Sequence, residues 1–222
     1  MSGPSEATAR PRAAGNCAPH PSPRIVRGGA LIAAPWKNGG GVTREIAAYP
    51  VGAGLDTFVW RVSVADVDRP GPFSRFPGVV RTLVLLDGEG MRLIEQGNGE
   101  DGGARTHALT RPFDIVRFDG EAALVAELVH GATRDFNLMV RRGQASATLE
   151  VWSGASPQAH TLDADTALVF CARGELEVRF PGAPHQRAAL TAMDTLVLDT
   201  PRACSCEIAG EGVALAVFIR YA

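Results

Sequence analysis

Three consecutive glycines stand among hydrogen-bond donors in Pro35-Trp36-Lys37-Asn38-Gly39-Gly40-Gly41-Val42-Thr43-Arg44-Glu45-Ile46. Without Cβ atoms the backbone N–H groups of such a run are unshielded, so the chain can approach an anion or another strand closely. Lys37, Asn38, Thr43 and Arg44 would then offer further donors to a carboxylate or phosphate. A flexible glycine turn with solvated charges is the plainer account of the same residues. No Gly-Lys-Ser/Thr follows the glycines, which excludes a P-loop.

Two further segments place charge beside apolar residues. In Trp60-Arg61-Val62-Ser63-Val64 a period of two puts Trp60, Val62 and Val64 on one face and Arg61 and Ser63 on the other. If this strand lines a barrel mouth, the Arg61 guanidinium can clamp a carboxylate with two bonds. If only the apolar face is buried, Arg61 and Ser63 meet water, and the sequence leaves both readings open. The chain runs on through Gly71-Pro72-Phe73-Ser74-Arg75-Phe76-Pro77-Gly78 to Arg81-Thr82. In the third segment, Asp135-Phe136-Asn137-Leu138-Met139-Val140-Arg141-Arg142, Asp135 and Asn137 either orient basic groups from elsewhere or cap a turn. Turn chemistry is the commoner outcome for such residues.

Metal and nucleophile chemistry find little support. No two of the five histidines (His20, His107, His130, His160, His185) lie within five positions of each other. Cys204-Ser205-Cys206 has no second cysteine pair, so a zinc site is not expected and both are read as small core residues. With Cys17 in the tail and Cys204 and Cys206 only two apart, a disulfide framework is not expected in a chain of this size either. A Gly-x-Ser-x-Gly elbow is absent, and nothing marks an activated nucleophile.

The elements that would position these groups are short and extended. The chain has 222 residues, 45% of them apolar, with 22 basic against 24 acidic residues and a net charge of -2. Without a basic run it offers no electrostatic footprint for nucleic acid and no patch for an anionic membrane. Its longest apolar run, Val213 to Ile219, is far short of the roughly 20 residues of a membrane-spanning helix. The first 24 residues have no apolar signal region, and a soluble cytoplasmic protein is expected.

Residues 1–23 hold five of the 15 prolines and are read as a disordered tail. From Ile25 onward short β-rich runs alternate with Gly, Pro and Asp, and no stretch of 12 or more keeps a 3.6-residue period. The reading is an all-β sandwich or barrel. A faint internal echo accompanies it. LVLLDGEGMRLI (83–94) and LVFCARGELEVRF (168–180) are both strand, tight turn, strand, and each is followed by a strand start at Phe113-Asp114 or Met193-Asp194. Two copies of a β-sandwich of about 90 residues would explain it.

The segments PWKNGGGVTREIA, FVWRVSVADVDRPGPFSRFPGVVRTLVLLDGEGMRL and GATRDFNLMVRR, in this order, closely resemble the HutD/Ves family. The resemblance runs from about Arg27 to Arg142 and more loosely to the C-terminus. It implies a bicupin, two cupin-like β-sandwich barrels in one chain, here divided as 24–143 and 144–222. It also implies a non-enzymatic role in histidine utilisation, binding a pathway acid such as N-formylglutamate or urocanate, without cofactor or metal. On this reading the N-terminal barrel carries the pocket. Arg61 and Arg81 are the carboxylate clamps, Asn38, Thr43, Ser63 and Thr82 add neutral hydrogen bonds, and Trp36, Trp60, Phe73 and Phe76 form apolar walls. Arg44 would pair with Asp135, Lys37 would be solvated, and the C-terminal barrel would cover the first barrel's sheet. The alternatives are a metal-free cupin enzyme on a similar acid, with Asp114, Glu45 or His107 moving protons, and a docking protein that uses the glycine segment. Edge strands of such sandwiches make a homodimer a candidate assembly.

Overall fold

The run Val79–Asp87, Val-Val-Arg-Thr-Leu-Val-Leu-Leu-Asp, is apolar on both faces except at Arg81, Thr82 and the terminal Asp87. That is the composition of a strand covered on both sides, and the computed structural model places it so. The model describes residues 23–95, 105–155, 157–181, 183 and 186–222. The proposed tail, with Cys17 and His20, and also His185, lie outside the described residues.

The first nine strands are β1 (Arg24–Val26), β2 (Ala33–Pro35), β3 (Gly41–Tyr49), β4 (Trp60–Val67), β5 (Gly71–Pro72), β6 (Val79–Asp87), β7 (Met91–Glu95), β8 (Arg105–Leu109) and β9 (Ile115–Asp119). Five more follow: β10 (Leu124–Leu128), β11 (Thr133–Arg141), β12 (Ala145–Ser153), β13 (Gln158–Leu162) and β14 (Thr166–Arg173). The last are β15 (Glu175–Arg179), β16 (Arg187–Thr191), β17 (Thr195–Asp199), β18 (Cys204–Ala209) and β19 (Val213–Tyr221). Apart from one 3-10 turn at Gly28–Ala30, the regular structure among the described residues is all β.

Four antiparallel sheets result among the described residues. Two are built from the first half, in the orders β2-β3-β4-β11-β6-β9 and β5-β10-β7-β8. The other two have the orders β1-β17-β14-β19-β12 and β13-β18-β15-β16. The pattern β4-β11-β6-β9 thus recurs as β12-β19-β14-β17, and β5-β10-β7-β8 as β13-β18-β15-β16. The echo at the strand starts recurs bond for bond. Phe113 N–H donates to Leu85 O and Leu85 N–H to Asp114 O; Met193 N–H donates to Cys171 O and Cys171 N–H to Asp194 O. Phe113 and Met193 both take positive φ, 70° and 77°, and the following aspartate accepts backbone N–H bonds of the preceding turn in each case. Leu85 and Cys171 therefore occupy the same place in the two halves.

Two features depart from the sequence reading. Arg24–Val26, assigned to the N-terminal unit, pairs with β17 of the second half. The following turn is held there by Arg27 and the Gly28 N–H, which bond Asp194 at 2.7 and 2.8 Å. Cys204 and Cys206 both sit in an apolar core, as read, but Cys204 is also disulfide-bonded.

The two large sheets pack face to face. Trp60, Val62, Val64, Phe136 and Leu138 of the first meet Leu168, Phe170, Leu215 and Val217 of the second, with Phe136 and Phe170 ring centroids 5.0 Å apart. This answers the question of which way the Trp60 strand faces: Trp60 looks into the seam, and Arg61 looks away from it. A separate cluster fills the first half between its sheets, with Leu83, Leu85, Met91, Leu93, Leu109, Phe118 and Leu124. From the large sheet it draws on β6 and β9. The matching face of β3, β4 and β11 carries Thr43, Glu45, Arg61, Ser63, Asp135 and Asn137 beside the apolar Ala65, Val67 and Met139.

The glycine run is a hairpin turn between β2 and β3: Trp36 N–H donates to Gly41 O, and Gly39 takes φ 67°. Gly41 is required for another reason. A Cβ there would lie 2.2 Å from the Asp66 carbonyl oxygen, backbone of the neighbouring strand that cannot swing aside. Gly41→Ala is expected to destabilise the fold by about 1–3 kcal/mol, read as a lower midpoint in urea unfolding; Gly39→Ala is also strained but meets open space.

Candidate functional site

The interior face of the first large sheet is fixed by register. Arg61, Ser63 and Ala65 of β4 lie opposite Met139, Asn137 and Asp135 of β11. Those in turn lie opposite Arg81, Leu83 and Leu85 of β6. On the other side, Glu45 and Thr43 of β3 pair with Ser63 and Ala65. Since paired residues point to the same side, one face gathers Glu45, Thr43, Arg61, Ser63, Asn137, Asp135 and Arg81.

Arg81 is the most confined cation of this set, 6% exposed. Its guanidinium carbon lies 5.1, 5.6 and 5.3 Å from the ring centroids of Phe73, Phe76 and Phe118, an aromatic box suited to a flat cation. Nε donates to Asn137 Oδ1 at 3.4 Å and Nη1 to Ser74 O at 3.3 Å, both long. Burial, opposed by Asp135 and assisted by the nearby Arg61, lowers its pKa to about 10, so it remains a cation at neutral pH. Arg61 is differently placed. Its Nε donates to Glu45 Oε2 at 2.7 Å and its Nη1 to Ser63 Oγ at 3.2 Å, and Glu45 is 44% exposed at the edge of the face.

Asp135 is buried, and its Oδ2 has no hydrogen-bond partner among the described residues. Burial, opposed by Arg81 and reinforced by Asp66, raises its pKa to about 7. The resemblance implies a pair of Asp135 with Arg44. Instead Arg44 bonds Asp66 at 2.6 Å, as does Arg134, because Arg44 lies opposite Val64 and so on the other face of the sheet.

The second half shows what the fold needs at these places. With Leu85 equivalent to Cys171, the pairings make Arg81, Asn137 and Asp135 equivalent to Ala167, Ala216 and Ala214. All three alanines are fully buried in the apolar core that includes Trp152. The same architecture is thus filled with apolar side chains in one half and carries buried polar groups in the other. Burying such groups is unfavourable unless they are partnered, so the fold does not account for them.

Among the residues singled out from sequence, Arg61, Ser63, Arg81 and Thr43 share this face, and Phe73 and Phe76 box Arg81. Trp36 is half-buried beside them and donates Nε1–H to Thr43 Oγ1 at 2.7 Å. Three lie elsewhere. Trp60 is in the seam, Thr82 faces the same way as Val84, and exposed Asn38 uses its Oδ1 to accept the Gly40 N–H at 3.0 Å. Asp135, Asn137 and the box residue Phe118 complete the set. Asp135 and Asn137 stood out in the sequence as turn or orienting residues. Phe118 carried no signal beyond strand alternation.

Of the proton carriers considered, Asp114 caps a turn, with its pKa lowered first by the backbone N–H groups of Thr110 and Arg111, and Glu45 is paired with Arg61. His107 lies inside, 3.5 Å from Glu95 and 6.3 Å between ring centroids from Phe118, with Nε2 buried and without a hydrogen bond. Among the described residues no group of three or more His, Cys, Asp or Glu could hold a metal ion, and no helix is long and apolar enough to cross a membrane. A cleft of about 330 Å³ is lined by Val42, Asp66, Asp68, Asp87, Gly88, Ala132, Thr133 and Arg134. It contains none of the converging side chains.

The model of the HutD family matches residues 30–216. The chain belongs to the HutD family. An uncharacterised 21.2 kDa protein from the hutC 3′ region of Pseudomonas putida is 40% identical over 156 residues, 70% of this chain and 77% of that one. Protein Ves of Citrobacter koseri is 41% identical over 98 residues, 43% of this chain and 46% of its own length, so the chain spans about half of that relative. The structure of HutD from Pseudomonas fluorescens SBW25 in a formate condition superposes with a TM-score of 0.76 at 29% identity, covering 90% of this chain and all of that one. A cupin-type fold is shared with Lactobacillus farciminis oxalate decarboxylase, at TM-score 0.61 and 9% identity, over 89% of this chain and 85% of that one.

Proposed function

We propose that this HutD-family chain is a non-enzymatic binder of a small carboxylic acid, with Arg81 as the principal anchor and Arg61 as its partner at the rim. The observation that carries this reading is the buried, aromatic-boxed Arg81, whose donors make only long bonds to neutral acceptors, at a place the second half fills with alanine. A guanidinium in such a box offers a fixed fork of donors to a carboxylate. The strand repeat supports two cupin-like barrels, of which the first binds and the second closes its outer face. The hut-region relative and the P. fluorescens HutD support a role in histidine utilisation, where holding a pathway acid such as N-formylglutamate or urocanate would limit flux.

The test is thermal unfolding with formate, glutamate, N-formylglutamate, formiminoglutamate, urocanate and divalent metals. An acid at 100 times its Kd adds about 2.7 kcal/mol of apparent stability, which raises Tm by several degrees. A rise with an acid that disappears in Arg81→Ala is expected; a rise only with metal, or none with any acid, overturns the reading. A second reading, turnover of a similar acid, draws on His107 and Asp135 in the same interior, and product formed from any of these acids would establish it.

A further inference from the structure

The second half of the chain isolates one residue that carboxylate binding does not explain. Asp135 replaces the alanine of the equivalent place, and a carboxylate there repels an acid. Its flanking residues across the sheet, Ala65 and Leu85, have no side-chain donor. Along its own strand, Asn137 stands between it and the Arg81 row, with its Oδ1 accepting from Arg81. Thr43, beyond Ala65 in the same row, accepts the Trp36 indole N–H, and the donors of neither residue bond Asp135 Oδ2. Among the described residues nothing donates to Asp135 Oδ2, although a buried carboxyl oxygen without a donor is among the least favourable groups a fold can hold.

The charges on this face also balance in a particular way. Arg61 is neutralised by Glu45 at 2.7 Å. Of the residues gathered here, that leaves the Arg81 cation and the Asp135 carboxyl, with Asn137 between them along β11. A ligand with a single carboxylate satisfies Arg81 and leaves Asp135 as it was. A dicarboxylate adds a second buried negative charge next to Asp135, which low-dielectric surroundings penalise. An acid that also carries an N–H donor satisfies both ends.

We propose that the acid taken by this site bears, beyond its carboxylate, an N–H group (amide, ammonium or imidazole) that donates to Asp135. The inference rests on the carboxylate-binding reading of the same face and adds the second recognition point. Asp135 is on this view a specificity-determining residue: it selects against plain and dibasic acids by leaving its own oxygen unpaired when they bind.

Two isosteric probe sets test it by calorimetric titration at pH 7.5. The first is glutarate monoamide, glutarate and glutarate monomethyl ester; the second is urocanate and 3-(3-furyl)acrylate, in which a furan replaces the imidazole N–H. In at least one set the N–H-bearing acid is expected to bind the wild-type chain at least tenfold more tightly than its isosteres. Asp135→Ala should bring it down to their level, with the ester and the furan acid bound no more weakly than by the wild type. Asp135→Asn, closest in shape, checks that any loss is not a folding defect, with circular dichroism melts on both variants. Equal binding within the sets, tightest binding by glutarate, or Arg81-dependent binding of formate with none of either set overturns the N–H inference and leaves the carboxylate site standing. Absence of any Arg81-dependent acid binding, formate included, removes the carboxylate reading and the inference with it.

Discussion

Arg81→Ala is expected to weaken binding of a small acid by about 100-fold or more, and Arg81→Lys to recover little of it. Truncating one partner of a buried, hydrogen-bonded charge pair loses about 2–5 kcal/mol, because the other charge is left desolvated and unpaired. That range corresponds to roughly 30-fold to several-thousand-fold in Kd. Lysine keeps the charge but not the planar fork, and its ammonium cannot lie flat between Phe73, Phe76 and Phe118. The fold itself should accept the alanine, since Ala167 occupies the equivalent place in the second half. Arg61→Ala should lose less, because Arg61 already has Glu45 as its counter-ion and sits nearer the water. Titration of the wild type and the three variants with one binding acid measures the order. An Arg81→Ala chain that binds like the wild type would show the acid lying elsewhere.

The fold class was legible because a β-rich pattern survives in nearly every strand, and the Asp87-Gly88 and Arg173-Gly174 turns mark equivalent hairpins of the two halves. The repeat was legible in Phe113-Asp114 and Met193-Asp194, where the aspartates do the same work of tying a turn to a strand. The orientation of the site was not. Strands β4, β6 and β11 are covered on both faces, so alternation divides Arg61 from Trp60 without saying which side is a seam between sheets and which is the interior. Thr82 stands next to Arg81 in sequence but on the opposite face of β6, since neighbours along a strand point apart. The pairing of Arg44 with Asp66 rather than Asp135 depends on the β3–β4 register, with its bulge between Glu45 and Ala47, and no local signal reports that. Gly41 looked like a means of approaching an anion. It approaches another strand, and the turn chemistry of Asn38 and Gly39 follows from that.

Asp135→Asn should stabilise the chain above neutral pH and do little near pH 4. In the folded chain burial holds the Asp135 proton up to about pH 7, whereas its ordinary value is 3.8. The folded state therefore binds the proton more tightly than the unfolded state. Its contribution to stability is fully present below about pH 4 and is lost as pH rises to about 7, by up to about 4 kcal/mol at 1.36 kcal/mol per unit. Above pH 7 the folded chain carries a buried carboxylate that faces Arg81 of β6, with Arg61 of β4 and Glu45 of β3 on the same face and Asp66 behind the sheet, and none of them bonds its Oδ2. The asparagine keeps the shape without the charge, so the difference between variant and wild type should grow from pH 4 to 7 and then level off. Asp66, Asp114 and Asp194 cannot imitate this. Their folded pKa values lie below the ordinary one, so their stabilisation is present above about pH 4 and is lost as pH falls through the lowered values. Urea unfolding of both chains at pH 4.5, 6 and 8 gives the comparison, and parallel stability curves would rule the titration out. If the asparagine chain gains stability and loses the preference for N–H-bearing acids together, the carboxyl is held against the interest of the fold for the sake of the ligand, as stability–function trade-offs at binding sites require.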